Sequence, residues 1–174
     1  MKKIRIILIG CMGSGKTTLG KELATSLSIP FIDSDTEIEK QNSSTIPLLF
    51  ETIGESGFRD LESKFIDELD ENESFILSTG GGMPCFQNNL EKLQQIGTVF
   101  YLKNSSTTLS ERLLRADNQR PLIEGKSKDE LIDFIEKSIS NREQFYNRAA
   151  VILFPEQQNA ASILKMITDL NAKY

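Results

Sequence analysis

Nine residues near the N-terminus, GCMGSGKTT, combine three glycines with one lysine and two threonines. Their spacing, Gly10 followed by Gly15-Lys16-Thr17, fits the phosphate-binding loop G-x-x-x-x-G-K-[ST]. In such a loop the amide groups surround phosphates, the lysine reaches the outer phosphates and the next hydroxyl ligates Mg²⁺. A plain glycine-rich turn is the alternative. The apolar run before the loop and the helical leucine spacing after it favour a nucleotide site.

Two aspartates, Asp33 and Asp35, follow a second short apolar run. Ligands of open parallel sheets bind at the carboxyl ends of the strands, which is where this pair would lie. A metal–phosphate site needs a carboxylate near the threonine hydroxyl, and a phosphoryl acceptor needs a group that orients or deprotonates its hydroxyl. We expect one aspartate to cap the next helix and at least one to be catalytic.

Further candidates are arginines and a run of three glycines. Arg59 and Glu62 are three residues apart, so on a helix they can pair and orient the guanidinium group, although such pairs are often ordinary surface contacts. The glycines, Gly80 to Gly82, directly follow a third apolar run and would let a ligand lie against bare amides. Six of the 11 glycines lie in this run and the phosphate loop, which suggests two halves of one cleft.

Short β-branched or aromatic runs alternate with helical patterns along the chain and would position these residues. We predict five strands, near 4–9, 30–33, 74–78, 98–103 and 149–154. Helical spacing covers 16–27, 46–69, 86–95, 106–115, 128–147 and 158–171. This alternation predicts a mainly parallel sheet with helices on both faces. The polar segment 116–127 lies between two helices, where a mobile cover over the cleft could be hinged.

Composition limits the class of protein. The 174 residues fit one domain, and 39% hydrophobic with 26% charged residues is ordinary for a globular chain. A net charge of -5 argues against a large nucleic-acid surface, and no segment is long enough to span a membrane. Two cysteines give no disulfide framework, so a reducing cytoplasm is expected. With no histidine, a histidine base or a histidine-ligated metal is excluded.

Taken together, these segments resemble the shikimate kinase family. The resemblance covers nearly the whole chain, in family order: GCMGSGKTTLG, IPFIDSD, TIPLLFETIGESGFRDLE, STGGG, NQRPLI and REQFY. It implies transfer of the ATP γ-phosphate to the 3-hydroxyl of shikimate, a step of aromatic amino-acid synthesis. It also implies a three-layer P-loop NTPase fold in one kinase domain, 1–174, acting as a monomer. Within that domain, 33–62 would bind substrate and 116–127 would form a lid.

Site residues follow from the resemblance, motif by motif. ATP would be bound by Gly13, Ser14, Gly15, Lys16, Thr17 and Thr18, and Mg²⁺ would lie beside Thr17 and Asp33. Shikimate would be held by Asp35, Arg59, Gly80, Gly81, Gly82 and Arg142, with Phe50 and Phe58 along its apolar side. Lys16, Asp35 and Arg120 would be catalytic, and Arg120 would also reach the ATP phosphates from the lid. Arg115 would face the adenine, with Arg112 as competitor, because the stretch before Arg120 is shorter than usual.

Other functions remain to be separated by experiment. A gluconate-type or nucleotide kinase shares the loop and the lid but has no evident need for two arginines beside a glycine run. A nucleotide-binding switch of the P-loop class would carry DxxG and NKxD-type segments, and the sequence shows neither.

Overall fold

The computed structural model describes residues 3–70, 72–115 and 125–171. Five parallel strands form one sheet in the order β2-β3-β1-β4-β5, which confirms the predicted parallel sheet. Numbered along the chain, β1 to β5 are Arg5–Ile9, Phe31–Asp33, Phe75–Ser78, Thr98–Leu102 and Val151–Leu153. Since β1 lies in the middle of the sheet, the loop that follows it opens at the centre of the sheet's carboxyl edge.

Seven α-helices lie around the sheet in the part of the chain described. In chain order, α1 to α7 are Lys16–Leu27, Ser34–Asn42, Ile46–Asp67, Asn89–Ile96, Ser106–Arg115, Lys128–Tyr146 and Ala160–Asn171. Six match predicted helices, although α4 begins later than expected because a short 3-10 turn, Met83–Cys85, precedes it. Helix α2 has no range in the predicted set, because Ile38 is its one buried apolar residue and no apolar periodicity marks it, but the expected cap by one of the two aspartates is present at Asp33.

The helices cover both faces of the sheet, as alternate residues of each strand require. Ile7 and Ile9 pack with α2, α3, α4 and Tyr146 of α6 in one core. Ile6 and Leu8 pack with α1 and α7 in a second core on the opposite face. This is the three-layer arrangement expected from near-continuous apolar strands.

Helix α3 is bent at Gly54, whose φ of 68° and ψ of 178° belong to a region that only glycine populates readily. The bend separates Ile46 to Ile53 from the straight helix that carries Arg59 and Glu62.

Among the described residues, no helix is long and apolar enough to cross a membrane. Arg120 and most of the predicted lid lie outside the described residues.

Candidate active site

The loop between β1 and α1 has the backbone of a phosphate site. Gly10, Gly13 and Gly15 have φ values of 144°, 77° and 96°, in the left-handed range that favours glycine. Lys16 is buried, and its Nζ donates to the carbonyls of Gly10 at 2.8 Å and Cys11 at 3.1 Å. The ammonium group therefore lies against the loop. Phosphates bound by the loop amides would lie within its reach.

A cavity of about 480 Å³ opens beside this loop. Its lining includes all the loop residues predicted to bind nucleotide, Gly13, Ser14, Gly15, Lys16, Thr17 and Thr18. Arg112, Pro155 and Gln158 also line it. Both arginines are exposed, but an Nη of Arg112 donates to the carbonyl of Ser14 at 3.2 Å and Arg112 lines the cavity, whereas Arg115 is not among the lining residues. Arg112, the alternative to Arg115 in the sequence analysis, is therefore the arginine that lies at the cavity.

Thr17 and Asp33 lie together at one side of the loop. The Thr17 hydroxyl donates to Oδ2 of Asp33 at 3.0 Å and lies 3.5 Å from the Ser78 hydroxyl. Asp33 is also the N-cap of α2, because its Oδ1 accepts from the Thr36 amide at 3.5 Å. These are oxygen donors of the kind that Mg²⁺ binds together with phosphates, so the residues fit that ion. The described residues hold no cluster of three or more carboxylate or thiol side chains that would suit a different metal site.

Asp35 lies in the first turn of α2, against the glycine run that follows β3. A Cβ built on Gly80 would come within 2.5 Å of Oδ1 of Asp35. The neighbouring Ser34 hydroxyl accepts from the Gly80 amide at 2.8 Å, so Gly80 does not offer the bare donor that the sequence predicted. Burial and the nearby Asp33 raise the pKa of Asp35, against the opposing effect of Lys16.

Arg59 reaches the same run from α3. A Cβ built on Gly82 would lie 2.8 Å from one of its Nη atoms. The guanidinium donates to Glu62 at 2.8 Å and to Glu55 at 3.0 Å, and its carbon lies 3.9 Å from the centre of the Phe86 ring. Burial raises the pKa of Glu62 to about 7 despite the opposing charge of Arg59. The predicted pair of Arg59 with Glu62 is therefore present, and it is buried rather than a surface contact.

Arg142 completes this side of the cleft from α6. One of its Nη atoms lies 3.4 Å from the position that a Cβ on Gly81 would take. One turn later, the buried Tyr146 hydroxyl donates to the Gly81 carbonyl at 2.6 Å and ties α6 to the run. Of the predicted aromatic residues, Phe58 is buried and Phe50 is 36% exposed, with their ring centres 4.6 Å apart.

Several contributors to the site were not predicted. Ser34 lies between the two predicted aspartates, and its position in the sequence DSD was the available signal. No signal in the sequence marked Phe86, which contacts Arg59, or Pro155 and Gln158, which line the cavity. All three come from segments without a motif.

Comparison with known proteins gives one consistent family. The family model for shikimate kinase matches residues 12–171. A shikimate kinase of Bacteroides fragilis is 47% identical over 149 residues, 86% of this chain and 83% of that protein. The crystal structure of the Bacteroides thetaiotaomicron shikimate kinase superposes with a TM-score of 0.88 at 40% identity, covering 97% of this chain and 98% of that one.

The shikimate kinase of Acinetobacter baumannii, solved in complex with shikimate, gives a TM-score of 0.82 at 35% identity, over 99% of this chain and 94% of that one. Of the family motifs quoted from the sequence, NQRPLI falls outside the described residues, and the others lie on the phosphate loop, on β2 and the start of α2, on α3, on the glycine run and on α6. The chain belongs to the shikimate kinase family.

Proposed function

We propose that this chain transfers the γ-phosphate of ATP to the 3-hydroxyl of shikimate. One observation carries the choice of acceptor. Gly80, Gly81 and Gly82 each face a different predicted substrate residue, namely Asp35, Arg142 and Arg59. One carboxylate and two guanidinium groups around bare backbone suit an acceptor that has both hydroxyl groups and a carboxylate.

On the nucleotide side, we assign the phosphates of ATP to the amides of Gly13 to Thr18. Lys16 would turn from its carbonyl partners to the outer phosphates, where its charge stabilises the transferring group. Thr17 and Asp33 would hold Mg²⁺, which supplies neutralisation of phosphate charge when it is bound. We assign Arg112, rather than Arg115, to the nucleotide cavity.

On the acceptor side, Asp35 would hydrogen-bond the 3-hydroxyl and take its proton or orient it. Its raised pKa makes it a stronger base than a solvated aspartate. Arg59 and Arg142 would hold the carboxylate of shikimate, with Phe50 and Phe58 along the apolar side of the ring. We retain Arg120 as the lid arginine that reaches the phosphates, on the strength of the family motif alone.

We also propose one kinase domain over 1–174, with a substrate-binding region near 33–62 and a lid near 116–127. The continuous core that joins α2 and α3 to the sheet supports this assignment. The net charge of -5 supports small-molecule partners rather than nucleic acid, and the free Cys11 and Cys85 support a reducing cytoplasm. We further propose that the chain acts as a monomer.

The test is a coupled assay of ADP release with shikimate, quinate, gluconate and nucleoside monophosphates as acceptors. We expect turnover that requires Mg²⁺ and is fastest with shikimate. Lys16→Ala should lose orders of magnitude in rate, while Lys21→Ala, an exposed lysine on the same helix, should stay near wild type. Phosphorylation of gluconate as fast as shikimate would contradict the acceptor, and near-normal turnover by Lys16→Ala would contradict the phosphate site.

A further inference from the structure

Arg59 contacts two carboxylates rather than one. One Nη donates to Oε2 of Glu62 at 2.8 Å and the other to Oε1 of Glu55 at 3.0 Å. Its Nε is buried and has no hydrogen-bond partner among the described residues. Both terminal nitrogens of the arginine are thus engaged within the protein, although a carboxylate substrate would need at least one of them for a two-pronged grip.

The two carboxylates differ sharply in exposure. The side chain of Glu62 is 1% exposed and that of Arg59 is 11% exposed, whereas that of Glu55 is 60% exposed. Moving Glu62 away would leave a charge buried without water, which is costly. Glu55 can turn into solvent and be hydrated at once, so it is the partner that can exchange.

The surroundings of Arg59 explain why an exchangeable anion is useful. The guanidinium carbon lies 3.9 Å from the ring centre of Phe86, 5.6 Å from that of Phe58 and 5.8 Å from that of Phe50. With Phe86 so close and only 11% of the Arg59 side chain exposed, little water reaches the guanidinium, so its charge is best balanced by a carboxylate. Glu55 is one helical turn before Arg59, directly after the bend at Gly54, and therefore always within reach.

We propose that Glu55 is an internal substitute for the carboxylate of the acceptor. In the free enzyme it occupies one arm of Arg59 and keeps the guanidinium oriented beside Gly82. On binding, the carboxylate of shikimate takes its place, while Glu62 stays bound to the other arm. This inference rests on the proposed function, because it needs an acceptor whose carboxylate meets Arg59. Glu55 is thus a specificity-determining residue, because an anion that binds Arg59 too weakly to displace Glu55 is excluded from the site.

The experiment is calorimetric titration of shikimate into wild type, Glu55→Gln and Glu51→Gln. Glu51 is also exposed on α3, so its variant removes the same charge without touching Arg59. Since exposed charge pairs are weak, we expect Glu55→Gln to bind shikimate about two- to fivefold more tightly. Glu51→Gln should match wild type. The Glu55→Gln gain should vanish for a shikimate analogue whose carboxylate is reduced to an alcohol.

Weaker or unchanged binding of shikimate by Glu55→Gln would overturn the inference, and so would an equal gain in Glu51→Gln, which would indicate a general charge effect. A gain that persists with the alcohol analogue would overturn it as well, because no carboxylate would then be exchanged. These results differ from failure of the proposed function, in which wild type itself would neither bind nor phosphorylate shikimate.

Discussion

The carboxylate of Asp35 lies against the bare backbone of Gly80, where an added Cβ would come within 2.5 Å of Oδ1. The start of α2 therefore packs closely against the residues that follow β3. The hydrogen bond from the Gly80 amide to the Ser34 hydroxyl stabilises the same contact. As a result, a carboxyl group of raised pKa is held in a fixed position beside the glycine run.

Asp35→Asn should keep the fold and ATP binding while slowing phosphoryl transfer. General-base assistance is typically worth about 10²–10⁴-fold, and the amide cannot accept the proton. Steady-state kinetics with a thermal melt would check both parts. A loss below tenfold would limit Asp35 to orienting the hydroxyl.

Gly80→Ala should displace the Asp35 carboxylate, because the new methyl group would lie 2.5 Å from Oδ1, too close for a real contact. We expect kcat/KM for shikimate to fall about ten- to a hundredfold, the scale of small misplacements of a catalytic group. The double variant with Asp35→Asn gives the control. If Gly80→Ala acts through Asp35, the double variant loses no more than Asp35→Asn alone, whereas additive losses would point to another cause.

Arg59→Lys and Arg142→Lys should each raise the KM for shikimate and leave that for ATP nearly unchanged. Lysine keeps the charge but loses the planar two-pronged grip. Losses of about ten- to a hundredfold in kcat/KM are expected for a hydrogen bond to a charged group. Arg148→Lys is the matched control, since Arg148 pairs with Glu91 at the surface. Equal losses for both substrates would instead indicate misfolding or a phosphate contact.

Arg112→Ala should raise the KM for ATP about two- to tenfold, the range of one ordinary hydrogen bond. Arg112 contacts the phosphate loop through the Ser14 carbonyl and lines the cavity, whereas Arg115 is not among the residues that line it. Arg115→Ala should therefore stay close to wild type. The reverse order of effects, measured with ATP varied at saturating shikimate, would restore Arg115 as the adenine-facing residue.

Glu62→Gln should reveal a pH-dependent cost of keeping this carboxylate buried. Burial raises the pKa of Glu62 from 4.5 to about 7, so the fold favours the protonated form. The resulting stabilisation is complete below pH 4.5 and is lost as the pH rises through 7. The free energy of unfolding of wild type minus that of Glu62→Gln should fall between pH 5 and pH 8, by roughly 3 kcal/mol.

Denaturant titrations at several pH values would measure that difference. The exposed Glu68→Gln should show no such trend. A difference that grows with pH would mean that pairing with Arg59 outweighs burial and lowers the pKa.

The acceptor side shows what the sequence could and could not predict. Asp33, Asp35 and the glycine run follow strands, and the carboxyl ends of parallel strands meet at one edge, so their convergence could be expected. A helix capped by one of the two aspartates could be expected as well, but the extent of α2 could not, because Ile38 is its one buried apolar residue and no apolar face marks its length. Nor does spacing alone choose between Arg112 and Arg115, since residues three apart share one side of a helix.

The central position of β1 has a consequence for altering the enzyme by design. Asp35, Arg59 and the glycine run belong to segments on the β2–β3 side of β1, while Pro155 and Gln158 follow β5 on the other side. The phosphate loop follows β1 and so lies between the two groups. The wall of the cavity and the acceptor side of the proposed site can therefore be varied separately, in two libraries that share no position. Arg142 is the position to leave fixed in both, because α6 carries it from the β4–β5 connection across to the glycine run.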